Sequence, residues 1–168
     1  MEKREISVEV GSQAPDVTLL NQDREPVQLS EALKRQPVVL VFFPAAFSRV
    51  CTKELCAFRD GVSGLNSTNA TVLAISTDTF FTLKAWAEYQ KFNFLLLSDF
   101  NKEATNKYGV SNPDLYGLKG TAKRAVFVID QKGTVRYRPS PIVSNFFHQN
   151  PLNGSCFGHT WSIVSPFQ

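Results

Sequence analysis

Long apolar runs are missing from this 168-residue sequence. None approaches the roughly 20 residues that cross a bilayer as a helix, so no membrane span is expected. The opening segment, MEKREISVEV, has no apolar stretch of the kind that directs secretion, and a cytoplasmic chain is expected. A strong charge of one sign is missing too: 18 Lys and Arg stand against 15 Asp and Glu, for a net charge of +3. The densest basic group, Lys119 to Arg124, is broken by Gly, Thr and Ala and has no aromatic platform, so no nucleic-acid partner is expected. Cysteine is scarce, with only Cys51, Cys56 and Cys156. An odd number closes no complete disulfide framework, and gaps of 4 and 99 residues match no zinc-ligand spacing, so neither a metal nor another cofactor is expected. Neither His148 nor His159 has a recognisable catalytic spacing, and there is no internal repeat or Gly/Ser linker.

What remains is the composition of an ordinary globular domain, 43% hydrophobic and 20% charged. A chain of this length buries about two-thirds of its unfolded surface and needs no staple. Thiols in such a chain are either inert core or reactive groups.

The pattern of elements is α/β. Val17–Leu20 and Pro26–Leu29, separated by a turn-rich gap, predict an N-terminal hairpin, and Ser30 looks like a helix N-cap. Pro37–Phe43 is a continuous apolar run, the mark of a strand buried on both faces. After Ser48-Arg49-Val50, the residues Cys51, Leu55, Phe58, Val62 and Leu65 form one apolar helical stripe that leaves Cys56 off it. Thr71–Ser76 predicts a second buried strand, Thr79–Lys91 a helix with Leu83 and Trp86 inward, Phe94–Leu97 a short strand, and Lys102–Tyr108 a short helix ending at Gly109. Arg124–Asp130, Gln131-Lys132-Gly133 and Thr134–Tyr137 read as a hairpin. The order predicts a central mixed sheet with helices on both faces. Two segments result: a domain over residues 1–138, and a C-terminal tail over 139–168 that is rich in Asn, Ser, Pro and Phe and has no helical period.

Ligands of open α/β sheets gather at the carboxyl ends of strands, beside helix N-termini. Here that junction is Pro44-Ala45-Ala46-Phe47-Ser48-Arg49-Val50-Cys51, with Cys51 in the first turn of the predicted helix. Unpaired N–H groups and the helix dipole at that place favour an anionic sulfur. Taken alone, a cysteine in an apolar stripe is ordinarily core.

The pattern Pro44-xxx-Ser48-xx-Cys51 resembles the Pro-xxx-Thr/Ser-xx-Cys motif of the peroxiredoxins. Gly11–Val17 with Leu29-Ser30, and the run Cys51–Asp60, are similar to the same family. Within it the sequence is most similar to the branch of bacterioferritin-comigratory protein and the one-cysteine AhpE-type enzymes, over residues 8–138. The resemblance implies a thioredoxin-like fold: a central mixed β-sheet flanked by helices, plus the N-terminal hairpin. It implies a thiol-dependent peroxidase acting on hydrogen peroxide and organic hydroperoxides in antioxidant defence. Thioredoxin or a low-molecular-weight thiol would be the reductant, and a homodimer is the expected assembly.

The resemblance also assigns roles. Cys51 would be the peroxidatic cysteine, cycling through sulfenic acid. Ser48 stands where the family usually has Thr; its hydroxyl would accept from the peroxide while donating to the thiolate. Pro44, which has no N–H, would shield the sulfur from water. Arg124 would supply a fixed positive charge. Arg59 is a weaker candidate for the same pocket, and Glu54, one turn beyond Cys51, either orients an arginine or is a solvated helix carboxylate. Cys56 is the candidate resolving cysteine. On an intact helix its Cα would lie about 8–9 Å from that of Cys51, beyond the roughly 7 Å limit for a disulfide. Resolution through Cys56 therefore requires the first turns to unwind; otherwise an external thiol must act. Cys156 is a remote third choice. Two other functions are weighed. A thioredoxin-type dithiol-disulfide oxidoreductase would need the Cys-x-x-Cys that is absent here, and a non-catalytic redox sensor would follow if the altered tail has destroyed turnover.

Overall fold

The structure, a computed structural model, describes residues 8–65 and 70–138, with the side chains of 61–65 left out. The expectations for the 139–168 tail, including Cys156, His148 and His159, lie outside the described residues.

Seven strands form one sheet: β1 (Thr18–Asn21), β2 (Pro26–Gln28), β3 (Val38–Phe42), β4 (Thr71–Ser76), β5 (Leu95–Ser98), β6 (Ala125–Ile129) and β7 (Val135–Tyr137), in the order β2-β1-β5-β4-β3-β6-β7. The centre, β5-β4-β3, is parallel, and the flanks pair antiparallel. The sheet is therefore mixed, and the β1–β2 pair is the N-terminal hairpin. Every residue of β3 is buried, as its unbroken apolar run requires of a strand covered on both faces.

The alternation of side chains along these strands divides the core in two. Val38, Leu40 and Phe42, with Leu73, Ile75, Phe127 and Ile129, face α1 (Leu29–Arg35) and α4 (Glu103–Lys107) through Leu29, Leu33 and Ala104. Val39, Val41, Phe43, Val72, Ala74 and Leu96 face α2 (Arg49–Leu65) and α3 (Phe80–Gln90) through Cys51, Leu55, Leu83 and Trp86. Among the described residues, no helix is long and apolar enough to cross a membrane.

One expected cap is replaced. Helix α1 begins at Leu29, with Gln28 at its N-cap position, so Ser30 lies inside the first turn. Asp16 serves that turn from upstream: its carboxylate accepts from the Ser30 backbone N–H at 3.0 Å, the Ser30 hydroxyl at 2.9 Å and the Gln28 amide at 2.7 Å. These bonds hold the Asp16 carboxyl below the usual carboxylate range against the opposing effect of its partial burial.

Candidate active site

Strand register sets the site. Phe42, the last residue of β3, pairs with Ala125, the first of the antiparallel β6, and with Ile75 of the parallel β4. The exit of β3, the entry of β6 and the exit of β4 therefore meet at one end of the sheet. The chain leaves β3 through buried Pro44 and enters α2 at Arg49, which makes Cys51 the third residue of the helix. The turn between them is tight. Phe47 is held at φ 60°, a conformation that bulky residues rarely adopt. Its exposed ring packs at centroid distances of 6.0 Å from Trp86 and 6.2 Å from Tyr89.

Cys51 is fully buried among Phe43, Leu55 and Trp86, yet its sulfur meets a cation. Arg124, immediately before β6, donates from Nη2 to Cys51 Sγ at 3.5 Å. Its Nε lies 3.5 Å from Oε2 of Glu54, one turn further along α2. Glu54 is thus a buried partner of the guanidinium and not a solvated helix carboxylate. That contact lacks hydrogen-bond geometry, and among the described residues neither Glu54 oxygen has a hydrogen-bond partner. Burial pushes the Glu54 carboxyl from its ordinary 4.5 up to about 7, a rise that the charge of Arg124 opposes.

This shift fixes a stability prediction. Below pH 4.5 the carboxyl is protonated in both the folded and the unfolded chain, and folding carries no charge-burial cost. As pH rises from 4.5 to about 7, the unfolded chain loses this proton first and stability falls. The loss is complete above that range and amounts to about 3 kcal/mol. Urea unfolding at pH 5 and pH 8 is expected to show this decline in the native protein and a flatter profile in Glu54→Gln. An unchanged slope in the variant would assign the decline to other groups.

The Ser48 hydroxyl donates to the Ala45 carbonyl at 3.0 Å. Its hydrogen is therefore committed to the backbone, which corrects the expectation that it donates to the sulfur; its lone pairs remain to accept. Both the Thr52 N–H and the Thr52 hydroxyl close onto the Ser48 carbonyl, at 2.9 and 2.8 Å, and this starts the helix. Arg59 reaches the end of α3, donating to the Gln90 carbonyl at 2.5 Å and to Asp60 at 2.8 Å. Cys56, expected off the apolar face, is buried as well, because the C-terminal end of α3 packs beside α2. Its thiol donates to Gln90 Oε1 at 3.6 Å. Trp86 is packing, as expected, against the rings of Phe43 and Phe92. Among the described residues no group of three or more His, Cys, Asp or Glu side chains could hold a metal ion.

Sequence reading missed Asp78, which follows β4 and accepts from the Ala46 N–H at 2.8 Å. Its only advance signal is that it stands just beyond the strand next to β3, which becomes informative once the strand order is known.

The model of the AhpC/TSA family matches residues 10–138. A chloroplastic peroxiredoxin Q of Triticum aestivum is 41% identical over 131 residues, covering 77% of this chain and 58% of that protein. Alkyl hydroperoxide reductase E of Mycobacterium tuberculosis is 38% identical over 130 residues, covering 76% of this chain and 82% of that one. Thus the chain spans less than two-thirds of the wheat relative and most of the mycobacterial one. Among solved structures, peroxidoxin BcpB from Mycobacterium tuberculosis superimposes with a TM-score of 0.74 at 36% identity, covering 79% of this chain and 85% of that one. A peroxiredoxin-like protein from Aquifex aeolicus gives 0.71 at 29% identity, covering 79% and 76%. Sequence and fold agree across this span, and the chain belongs to the AhpC/TSA family of peroxiredoxins, in the branch of peroxiredoxin Q and alkyl hydroperoxide reductase E.

Proposed function

We propose that this protein is a thiol-dependent peroxidase that reduces hydrogen peroxide and organic hydroperoxides through Cys51. The observation that carries the reading is the Arg124 guanidinium 3.5 Å from a sulfur in the first turn of α2. A fixed cation and unpaired helix N–H groups stabilise negative charge on sulfur, the nucleophilic form. The Cys51 thiolate attacks one peroxide oxygen: an S–O bond forms, the O–O bond breaks, and the departing alkoxide or hydroxide takes up a proton. Sulfur is oxidised by two electrons to sulfenic acid and the peroxide is reduced by two. Arg124 also faces the charge that develops on the departing oxygen. Ser48, with its hydrogen on Ala45, accepts the hydrogen bond of the incoming hydroperoxide. Buried Pro44 offers no N–H and helps keep water from the sulfur.

Cys56 then resolves the sulfenic acid. Its sulfur forms the S–S bond, the S–O bond breaks, and water leaves with the thiol proton. Thioredoxin or a small thiol reduces the disulfide. The two cysteines are too far apart on an intact helix, so the first turns of α2 open for this step. The S–H···O contact from Cys56 to Gln90 is weak and costs little to release.

Intact mass after one equivalent of hydrogen peroxide tests both steps. The native protein is expected to lose two hydrogens, and Cys56→Ser to gain one oxygen instead. An oxygen adduct on the native protein would reject Cys56 as the resolving residue and leave the peroxidase reading standing. No modification of Cys51 would reject the peroxidase.

A further inference from the structure

The first residues after β3 and after β4 lie side by side, because the two strands are parallel neighbours. Across that junction Asp78 Oδ2 accepts from the Ala46 N–H at 2.8 Å. The carbonyl of the same peptide unit, that of Ala45, accepts from the Ser48 hydroxyl at 3.0 Å. A trans peptide is planar, with its N–H and C=O pointing in opposite directions, so fixing one fixes the other. Holding the 45–46 N–H therefore aims the carbonyl that receives the Ser48 hydrogen. The bond is also charge-assisted, which polarises the peptide and strengthens the carbonyl as an acceptor.

Asp78 is itself held from three sides. The Ser76 hydroxyl donates to the same Oδ2 at 2.8 Å, and the Asp78 N–H donates back to Ser76 Oγ at 3.2 Å. The Ser98 hydroxyl, at the end of β5, donates to the Asp78 carbonyl at 2.7 Å. Asp78 thus rests on the ends of two central strands, its carboxylate on Ser76 and its backbone carbonyl on Ser98, while the carboxylate reaches across to the loop that follows the third.

We propose that Asp78 is a positioning residue for the peroxide site: through the 45–46 peptide it commits the Ser48 hydrogen to Ala45 and so leaves Ser48 as an acceptor for the hydroperoxide O–H. The effect runs through Ser48, so this inference rests on the peroxidase reading above.

The test is a double-mutant cycle on the rate at which reduced Cys51 reacts with hydrogen peroxide, read by rapid mixing. Asp78→Ala is expected to slow the reaction about tenfold, and Asp78→Asn, whose amide oxygen still accepts from Ala46, to stay within about threefold of native. With Ser48→Ala already in place, Asp78→Ala is expected to change the rate less than about twofold, the non-additivity of two groups that act as one. Equal slowing in both backgrounds, or no slowing in the native one, would overturn the inference. If Asp78→Ala fails to fold, Asp78→Glu, which displaces the acceptor by one methylene, is run through the same cycle and judged by the same pattern. A native Cys51 that reacts no faster than free cysteine would instead reject the peroxidase reading itself.

Discussion

Arg124→Gln is expected to slow the reaction of Cys51 with hydrogen peroxide by about 10²–10³-fold, the usual cost of removing one preorganised group that stabilises transition-state charge. Nη2 is 3.5 Å from the sulfur, and Cys51 is otherwise a fully buried member of an apolar cluster that includes Phe43, Leu55 and Trp86. Glutamine keeps a donor and loses the charge. Arg124→Lys keeps the charge and loses the planar fork that spans Cys51 and Glu54, so it should recover only part of the loss. Stability should separate from rate. Without the guanidinium nothing offsets the burial of Glu54, so its carboxyl should hold its proton beyond about 7 and the variant should lose stability relative to native as pH rises above that value. Rapid mixing of the reduced variants with peroxide measures the first effect. Trp86 lies in the same cluster as Cys51 and offers a fluorescence signal for it. Urea unfolding at two pH values measures the second.

Cys51→Ser is expected to abolish peroxide consumption, leaving only the background of the buffer. A hydroxyl at this place is far less acidic than a thiol and a much weaker nucleophile at neutral pH. The choice of replacement matters for stability. The site is fully buried in an apolar cluster; Arg124 faces a serine oxygen there as a donor, but a serine hydrogen left without an acceptor costs about 1–3 kcal/mol. Cys51→Ala avoids that cost and should lose activity to the same extent. If both variants are folded and either retains peroxide turnover, Cys51 is not the reacting group.

The two-sided burial of β3 was legible because nothing polar interrupts Val38–Phe42. The start of α2 was legible because Pro44, Ser48 and Cys51 punctuate the exit from that strand. Arg124 alone would be a surface strand residue; the family resemblance named it, and the β3–β6 register brings it to the sulfur. What escaped depended on tertiary neighbours. Ser30 has the chemistry of a cap, yet a carboxylate 14 residues upstream takes that part. Cys56 sits off the stripe drawn from helical periodicity, but the end of α3 covers it from the side. The Glu54 carboxylate has a helical spacing that suits a solvated face equally well, and its burial beside Arg124 shows only in the folded chain. Asp78 carries no local signature; its contact with Ala46 exists because β3 and β4 are parallel and adjacent.

The proposed peroxidase activity depends on the reactivity of a single sulfur beside Arg124. Reduced protein mixed with less than one equivalent of hydrogen peroxide, in competition with an excess of free cysteine, measures that reactivity directly. Oxidation is expected to fall on Cys51 ahead of the competitor, and Arg124→Gln should forfeit most of that advantage. Oxidation distributed in proportion to thiol concentration, with native protein and variant alike, would contradict the account.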